Sequence, residues 1–220
     1  LGPTRVTQAG LLSRAQVKAG MKTVLALAFV LGLYLAWVRG PLVLVLGVAA
    51  IVAAVAYTGG PWPLGYHGLG EVFVFLFFGV LAVVGTYWVQ TGTTGAAAWL
   101  MSVPVGLLIT GILVVNNLRD IEQDRTVGKH TIAVRIGARA TRVEYLLCIV
   151  GAYLCVALGV TLGWLPAAAL LSWLSAPLAL FTTRIVFTAE GRPLNRALAL
   201  TGQTALAFGA LFALGMIAAA

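Results

Sequence analysis

Seven long apolar runs, separated by short polar connections, constrain this chain more than any other feature of its sequence. Each run approaches the roughly 20 mostly apolar residues that an α-helix needs to cross a bilayer. Of the 220 residues, 61% are hydrophobic and 9% are charged, whereas a soluble domain carries about 25% charged residues. The sequence therefore predicts an all-α, polytopic membrane helix bundle, with transmembrane helices at 21–38, 41–57, 71–90, 97–115, 143–162, 165–183 and 198–219.

The connections between these runs are too short to separate independent domains. Gly40 and Pro41 mark one connection, and the Gly-Gly-Pro sequence at 59–61 marks the next. Such residues end helices and form turns. Because the chain contains no tandem repeat and no low-complexity linker, we expect one membrane domain to cover residues 1–220.

The basic residues predict the orientation of the bundle in the membrane. All of the 14 Lys and Arg residues except Arg39 lie before or at the start of the first run, after the fourth or after the sixth, which places them on one side. Basic loops stay on the cytoplasmic side. We therefore expect a multi-pass protein of the cell (inner) membrane, with the N-terminus and the loops 58–70, 116–142 and 184–197 in the cytoplasm.

The net charge of +8 does not indicate a nucleic-acid partner. Nucleic-acid-binding domains carry a basic stripe on a polar surface, whereas the basic residues here lie between apolar runs. The bilayer is the partner that this pattern predicts.

Asp120 and Asp124 are the only two aspartates in the chain. Their spacing of four residues puts both on one face of a helix, and Glu122 points elsewhere. Gly128 is a natural end for that helix. Carboxylate oxygens suit Mg²⁺, which binds through one or two carboxylates together with substrate phosphates. These two residues are therefore candidate metal ligands.

Three cations, Arg119, Arg125 and Lys129, surround the two aspartates. Arg binds phosphate through its fork of N–H groups, and Lys binds it as a point charge. A diphosphate at the membrane surface is the ligand that this combination fits. The alternative is a solvated helix end, in which the aspartates pair with these cations and bind nothing else.

Residues 116–137, which read NNLRDIEQDRTVGKHTIAVRIG, resemble the second Asp-rich motif of the UbiA superfamily of intramembrane prenyltransferases. The flanking Asn-Asn, Gly-Lys and Thr-Ile-Ala-Val-Arg-Ile-Gly sequences make the match specific. Residues 57–71 resemble a loop of the branch that acts on 1,4-dihydroxy-2-naphthoate, the MenA type, and residues 2–12 resemble another segment of that branch. The resemblance covers essentially the whole chain.

The resemblance also implies a departure from the family pattern. The family has a first Asp-rich motif, Asn-x-x-x-Asp, at the end of its second helix, and nothing here matches it. The seven runs correspond to the last seven helices of a nine-helix fold. We therefore expect the first two helices to precede Leu1, in a longer enzyme.

What the resemblance implies about activity is a Mg²⁺-dependent aromatic prenyltransferase of menaquinone or phylloquinone biosynthesis. It would transfer a prenyl group from a polyprenyl diphosphate to 1,4-dihydroxy-2-naphthoate, with loss of the carboxylate and release of diphosphate. The predicted catalytic residues are Asp120, Asp124, Lys129 and Tyr57, with Asp120 and Asp124 as metal ligands; the predicted substrate-binding residues are Asn116, Asn117, Arg119, Arg125, Tyr66 and Gln90.

Several of these residues have a simpler interpretation. Tyr57 and Tyr66 would face the allylic cation or the aromatic ring, or would belong to the aromatic belt of the membrane interface. Gln90 would be a buried polar contact or the end of a helix. Glu71 would orient the 58–70 loop or place a negative charge at a helix N-terminus.

Two other functions remain open at this point. Another aromatic acceptor, 4-hydroxybenzoate or homogentisate, would suit the same chemistry. A transporter would need polar residues along a path across the membrane, and the apolar runs contain almost no ionisable residue.

Overall fold

The computed structural model describes residues 6–219, which form helices joined by short turns and contain no strand. The chain divides into two compact units, one ending at Trp62 and the other beginning at Pro63. The expectation of a single domain stays a prediction. Of the segment 2–12 that resembles a known branch, residues 2–5 lie outside the described part of the chain.

The first unit contains helix α1 (Arg14–Arg39) and helix α2 (Leu42–Thr58). Ser13 begins α1 with a capping box. Its hydroxyl accepts from the backbone N–H of Gln16, and the Gln16 side chain accepts from the backbone N–H of Ser13. These two bonds satisfy N–H groups that a helix start leaves without partners.

The second unit contains five helices. They are α3 (Gly70–Thr91), α4 (Ala96–Thr126), α5 (Ile132–Thr161), α6 (Ala167–Thr188) and α7 (Leu194–Ala218). A short 3₁₀-helix, Leu64–Tyr66, precedes them. Helix α3 includes a π-helical segment over Phe75–Leu81, and helix α6 begins as a 3₁₀-helix over Ala167–Ser175.

The lengths of these helices confirm an all-α, polytopic membrane bundle. Six helices in the described chain are long and apolar enough to cross a membrane. The exception is α2, which is apolar but has 17 residues.

Helix α4 lies at the centre of the second unit, where it packs against α3, α5 and α7. Val114 and Val115 of α4 are fully buried. Where α3 crosses α4, a Cβ added at Gly79 would lie 2.5 Å from the Cα of Gly106. Small residues at such a crossing let two membrane helices approach closely. The packing of α4 against its neighbours therefore also sets the position of its polar C-terminal end.

The helices that carry two predicted spans, 97–115 and 143–162, extend beyond them at the polar end. Helix α4 continues eleven residues past the first span, to Thr126. Helix α5 begins eleven residues before the second span, at Ile132, and is kinked at Gly137, whose φ is +80°. An apolar run shows where a helix lies in lipid, whereas the helix itself continues into the polar interface. The extension of α4 carries Asp120 and Asp124.

In the second unit, the helix ends that lie nearest the charged residues are close together. Asn117 of α4 contacts Glu71 at the start of α3, and Arg119 contacts Asn195 at the start of α7. Arg142 of α5 donates to the backbone oxygens of the last turn of α6 and the residue after it, Val186 and Ala189, at 3.0 and 3.1 Å. The loops around residues 63–70, 127–131 and 189–193 therefore share one end of the second unit, as the charge pattern predicts.

Candidate active site

Asp120 and Asp124 lie on the same face of the last turns of α4. The Asp124 side chain is 7% exposed and that of Asp120 is 17% exposed, whereas that of Glu122 is 83% exposed. The helical spacing of four residues thus turns both aspartates toward the protein and Glu122 toward solvent. The predicted phasing of this helix is confirmed.

Arg119 holds Asp120 through its guanidinium group. Its Nε donates to one carboxylate oxygen at 2.8 Å, and its Nη2 pairs with the other. Nη2 also donates to Asn116 Oδ1 at 2.8 Å, and Nη1 donates to Asn195 Oδ1 at 2.7 Å. A side chain only 6% exposed thus has three polar partners. This bidentate arrangement fixes both the Asp120 carboxylate and the Arg119 fork.

Lys129 pairs with Asp124 through a single charged group. Its Nζ lies 2.9 Å from the Asp124 carboxylate, and its backbone N–H donates to the Asp124 carbonyl at 2.9 Å. The same Nζ lies 5.3 Å from the ring centre of Tyr66, within the range of a cation–π contact. Tyr66 and Lys129 are thus brought together from separate loops.

Asn117 is buried, and its amide donates to Glu71 Oε1 at 2.8 Å. This hydrogen bond joins the start of α3 to the turn of α4 that precedes Asp120. The bond joins Glu71 to α4, and orientation of the 58–70 loop by Glu71 stays a prediction. Its other oxygen, Oε2, is buried without a hydrogen-bond partner in the described structure.

Arg135, near the start of α5, ties two loops at this end of the unit. Its Nη2 donates to the His67 carbonyl at 2.8 Å, and its Nε donates to the His130 carbonyl at 3.0 Å. The backbone N–H of His130 donates in turn to the Tyr66 carbonyl at 2.8 Å. Together these bonds hold Tyr66 next to Lys129.

Two predicted site residues of the second unit lie apart from this cluster. Arg125 pairs with Glu122 at 3.1 Å, and both side chains are mostly exposed. Gln90 lies near the end of α3 opposite Glu71, about 28 Å away at the rise of an α-helix. Tyr57 belongs to the first unit, near the end of α2. The substrate contacts of Arg125 and Gln90 and the catalytic role of Tyr57 stay predictions.

Sequence reasoning did not find Asn195. It lies 76 residues from Arg119 in the chain, beside no recognisable motif. The one available signal was that Asn195 is a polar residue in the first turn of the last helix, next to Arg196, where the chain meets the membrane–water interface.

The cluster combines oxygen donors with positive charge. Asp120, Asp124 and the Asn116 side-chain oxygen supply hard oxygen donors, and Arg119 and Lys129 supply positive charge beside them. Residues 6–219 contain no group of three or more His, Cys, Asp or Glu that could hold a metal ion. Metal binding at Asp120 and Asp124 stays a prediction.

Curated relatives resemble the chain over most of its length. The 1,4-dihydroxy-2-naphthoate octaprenyltransferase of Haemophilus influenzae is 36% identical over 99% of this chain and 73% of its own length. The proteins with the same description from Escherichia coli and Mycobacterium tuberculosis are 37% and 40% identical, over 72% and 69% of this chain. The chain spans about half of each of these two, 53% and 52%.

The search for similar solved structures found no match. The model of the UbiA prenyltransferase family matches residues 2–198, a range that includes the two aspartates and the cations that hold them. By this match, the chain belongs to the UbiA prenyltransferase family.

Proposed function

We propose that this chain acts in the prenylation of 1,4-dihydroxy-2-naphthoate in menaquinone or phylloquinone biosynthesis. The donor is a polyprenyl diphosphate, and the reaction releases diphosphate and carbon dioxide. The observation that carries the proposal is the pairing of two aspartates on one helix face with Arg119 and Lys129. The names of the three relatives support the acceptor.

Mg²⁺ fits the residues of this cluster. Asp120 and Asp124 would hold it, because two carboxylates plus phosphate oxygens are a usual ligand set for this ion. When bound, it neutralises charge on the diphosphate and makes that group a better leaving group. The cations that pair with the aspartates in this structure would be available to the phosphate oxygens instead.

The cationic side chains stabilise the charge that develops as the bond between the allylic carbon and the diphosphate oxygen breaks. The electron pair of that bond leaves with the diphosphate, where Arg119 donates N–H groups and Lys129 supplies a point charge. Asn116 and Asn195 orient Arg119 for this task through their hydrogen bonds. A preoriented donor needs no reorganisation during the reaction.

The carbon–carbon bond forms when the ring carbon that bears the carboxylate attacks the allylic carbon. The ring carboxylate then leaves as carbon dioxide, and its electron pair returns to the ring. Tyr66 would face the developing allylic cation, and its ring contact with the Lys129 ammonium supports this role. The apolar helices hold the prenyl chain, since a pocket for such a ligand needs few polar groups.

We further propose that this end of the protein faces the cytoplasm of the inner membrane. All basic residues of the second unit lie in or next to the loops that meet at this end. The substrate diphosphate would then be bound from the cytoplasmic side.

An assay of diphosphate release tests the proposed function. The chain, together with any preceding residues that its gene encodes, is purified in detergent and supplied with polyprenyl diphosphate, 1,4-dihydroxy-2-naphthoate and Mg²⁺. We expect diphosphate and a prenylated, decarboxylated naphthol in equal amounts, both dependent on Mg²⁺. Turnover of 4-hydroxybenzoate with none of dihydroxynaphthoate would overturn the proposed acceptor.

A further inference from the structure

A cavity of about 650 Å³ opens beside α4 and α5, away from the residues assigned above. This volume lies within the range of about 300–1,000 Å³ that is typical of small-molecule sites. Most of the wall is apolar, and two charged side chains, Arg139 and Glu144, complete it. The lining residues are Leu107, Ile136, Arg139, Ala140, Val143, Glu144, Leu147 and Cys148.

Glu144 is a carboxylate within a membrane-spanning helix. Its Oε2 is buried and has no hydrogen-bond partner in the described structure. An unpaired polar oxygen in an apolar environment is costly, and ionisable residues within membrane helices usually mark functional sites. The oxygen therefore calls for a ligand that donates a hydrogen bond within the cavity.

Arg139 supplies a positive charge nearer the polar end of the same wall. It lies five residues before Glu144 on α5, about 7.5 Å along the helix axis. Its side chain is exposed, and no ion pair to a described carboxylate is found for it. The cavity thus combines an anion-binding group, a hydrogen-bond acceptor and an apolar wall.

One end of the cavity lies near the start of α5, where Ile136 and Arg139 line it. Arg135, the residue before Ile136, donates hydrogen bonds to both loops that hold Tyr66 next to Lys129. The cavity therefore begins at the end of the second unit that carries the aspartate cluster.

We propose that this cavity binds the aromatic acceptor, with the acceptor carboxylate on Arg139 and a ring hydroxyl donating to Glu144. The inference rests on the proposed function and deepens it by naming the acceptor site. A prenyl chain has no polar group that would use either side chain. A bicyclic hydroxy acid uses the cation, the carboxylate and the apolar wall together.

Binding of three probes tests this assignment without turnover. 4-Hydroxy-2-naphthoate carries both polar groups, 2-naphthoate carries only the carboxylate, and 1-naphthol carries only the hydroxyl. We expect Arg139→Gln to weaken binding of the two carboxylates about tenfold or more, and to leave 1-naphthol within about twofold. Glu144→Leu should weaken the two hydroxyl compounds and spare 2-naphthoate.

Arg192→Gln is the charge-matched control, because Arg192 is exposed and does not line the cavity; it should bind all three probes like the original protein. Equal weakening of all three probes by the Arg139 and Glu144 variants, or no weakening, would overturn the assignment. If the original protein prenylates dihydroxynaphthoate but the Arg139 and Glu144 variants bind all three probes normally, the assignment of the acceptor site is wrong and the proposed function stands. Group-selective loss of binding without any prenyl transfer would support the site and reject the function.

Discussion

Arg119 donates to both carboxylate oxygens of Asp120, the next residue in the chain. Adjacent residues on a helix point about 100° apart, so this contact requires the long Arg side chain to turn back over Asp120. Asn116 and Asn195 hold the guanidinium in that position from either side. The two asparagines would therefore keep the guanidinium in place when a diphosphate takes over its contacts to Asp120.

The two aspartates are expected to be essential for prenyl transfer. Asp120→Asn and Asp124→Asn each remove a negative charge from the proposed metal site, and we expect activity to fall about 100-fold or more. Glu122→Gln is the matched control, since Glu122 is 83% exposed on another face. Mg²⁺-dependent diphosphate release and the thermal unfolding temperature should be measured together. Near-normal activity in either Asp variant would reject the metal role.

Asn195 is expected to act through Arg119. Asn195→Ala leaves a buried guanidinium N–H without its acceptor, which costs about 1–3 kcal/mol. We expect the KM for the prenyl diphosphate to rise about tenfold and the KM for the acceptor to change little. Gln203→Ala, at an exposed position on the same helix, serves as the control. If both KM values change equally, Asn195 supports the fold and does not position Arg119.

Tyr66 is expected to contribute through its ring. Tyr66→Phe keeps the face that lies 5.3 Å from the Lys129 ammonium, whereas Tyr66→Leu removes it. A cation–π contact is worth about 0.5–2 kcal/mol, or about 2- to 30-fold in binding. We expect near-normal activity in the Phe variant and a loss of that size in the Leu variant. Equal losses would instead assign the contribution to the Tyr66 hydroxyl.

The faces of helices could be predicted from the sequence, but the neighbours of those faces could not. The four-residue spacing of Asp120 and Asp124 predicts their common face, because the helical repeat is a local property. Ser13 at the start of α1 and the helix end before Gly128 are local signals of the same kind.

The partners of those faces depend on how distant helices pack. Asn195 reaches Arg119 only because α7 crosses the end of α4, and Glu71 reaches Asn117 only because α3 begins there. No periodicity encodes such crossings. For Gln90 the polar character of the residue suggested a contact in the site. The structure instead places Gln90 near the end of α3 opposite Glu71.

The orientation in the membrane can be tested by chemical labelling. Cys148 and Cys155 are replaced by Ser, and single cysteines are then placed at 94, 128, 164 or 190. Because the basic loops should stay in the cytoplasm, we expect a membrane-impermeant thiol reagent added outside to label positions 94 and 164 only. Labelling of position 128 from outside would reverse the orientation.

The contact between the two loops at the aspartate end depends on Gly68. Its φ is +73°, and an added Cβ would lie 3.0 Å from the His130 carbonyl oxygen and 3.3 Å from the Arg135 guanidinium carbon. Gly163 has nearly the same φ, +72°, but a Cβ there would meet nothing within 4 Å. Both Ala variants therefore carry the strain of a positive φ, and only Gly68→Ala also pushes the loops apart.

We expect Gly163→Ala to lower the free energy of unfolding by about 1 kcal/mol and to leave prenyl transfer unchanged. Gly68→Ala should cost more stability and should also lower activity, because the His130 backbone it displaces holds Tyr66 next to Lys129. Thermal unfolding and the KM for the prenyl diphosphate, measured on both variants, separate the two effects. If Gly68→Ala loses stability but keeps the original KM, the loop contact supports the fold without positioning Lys129.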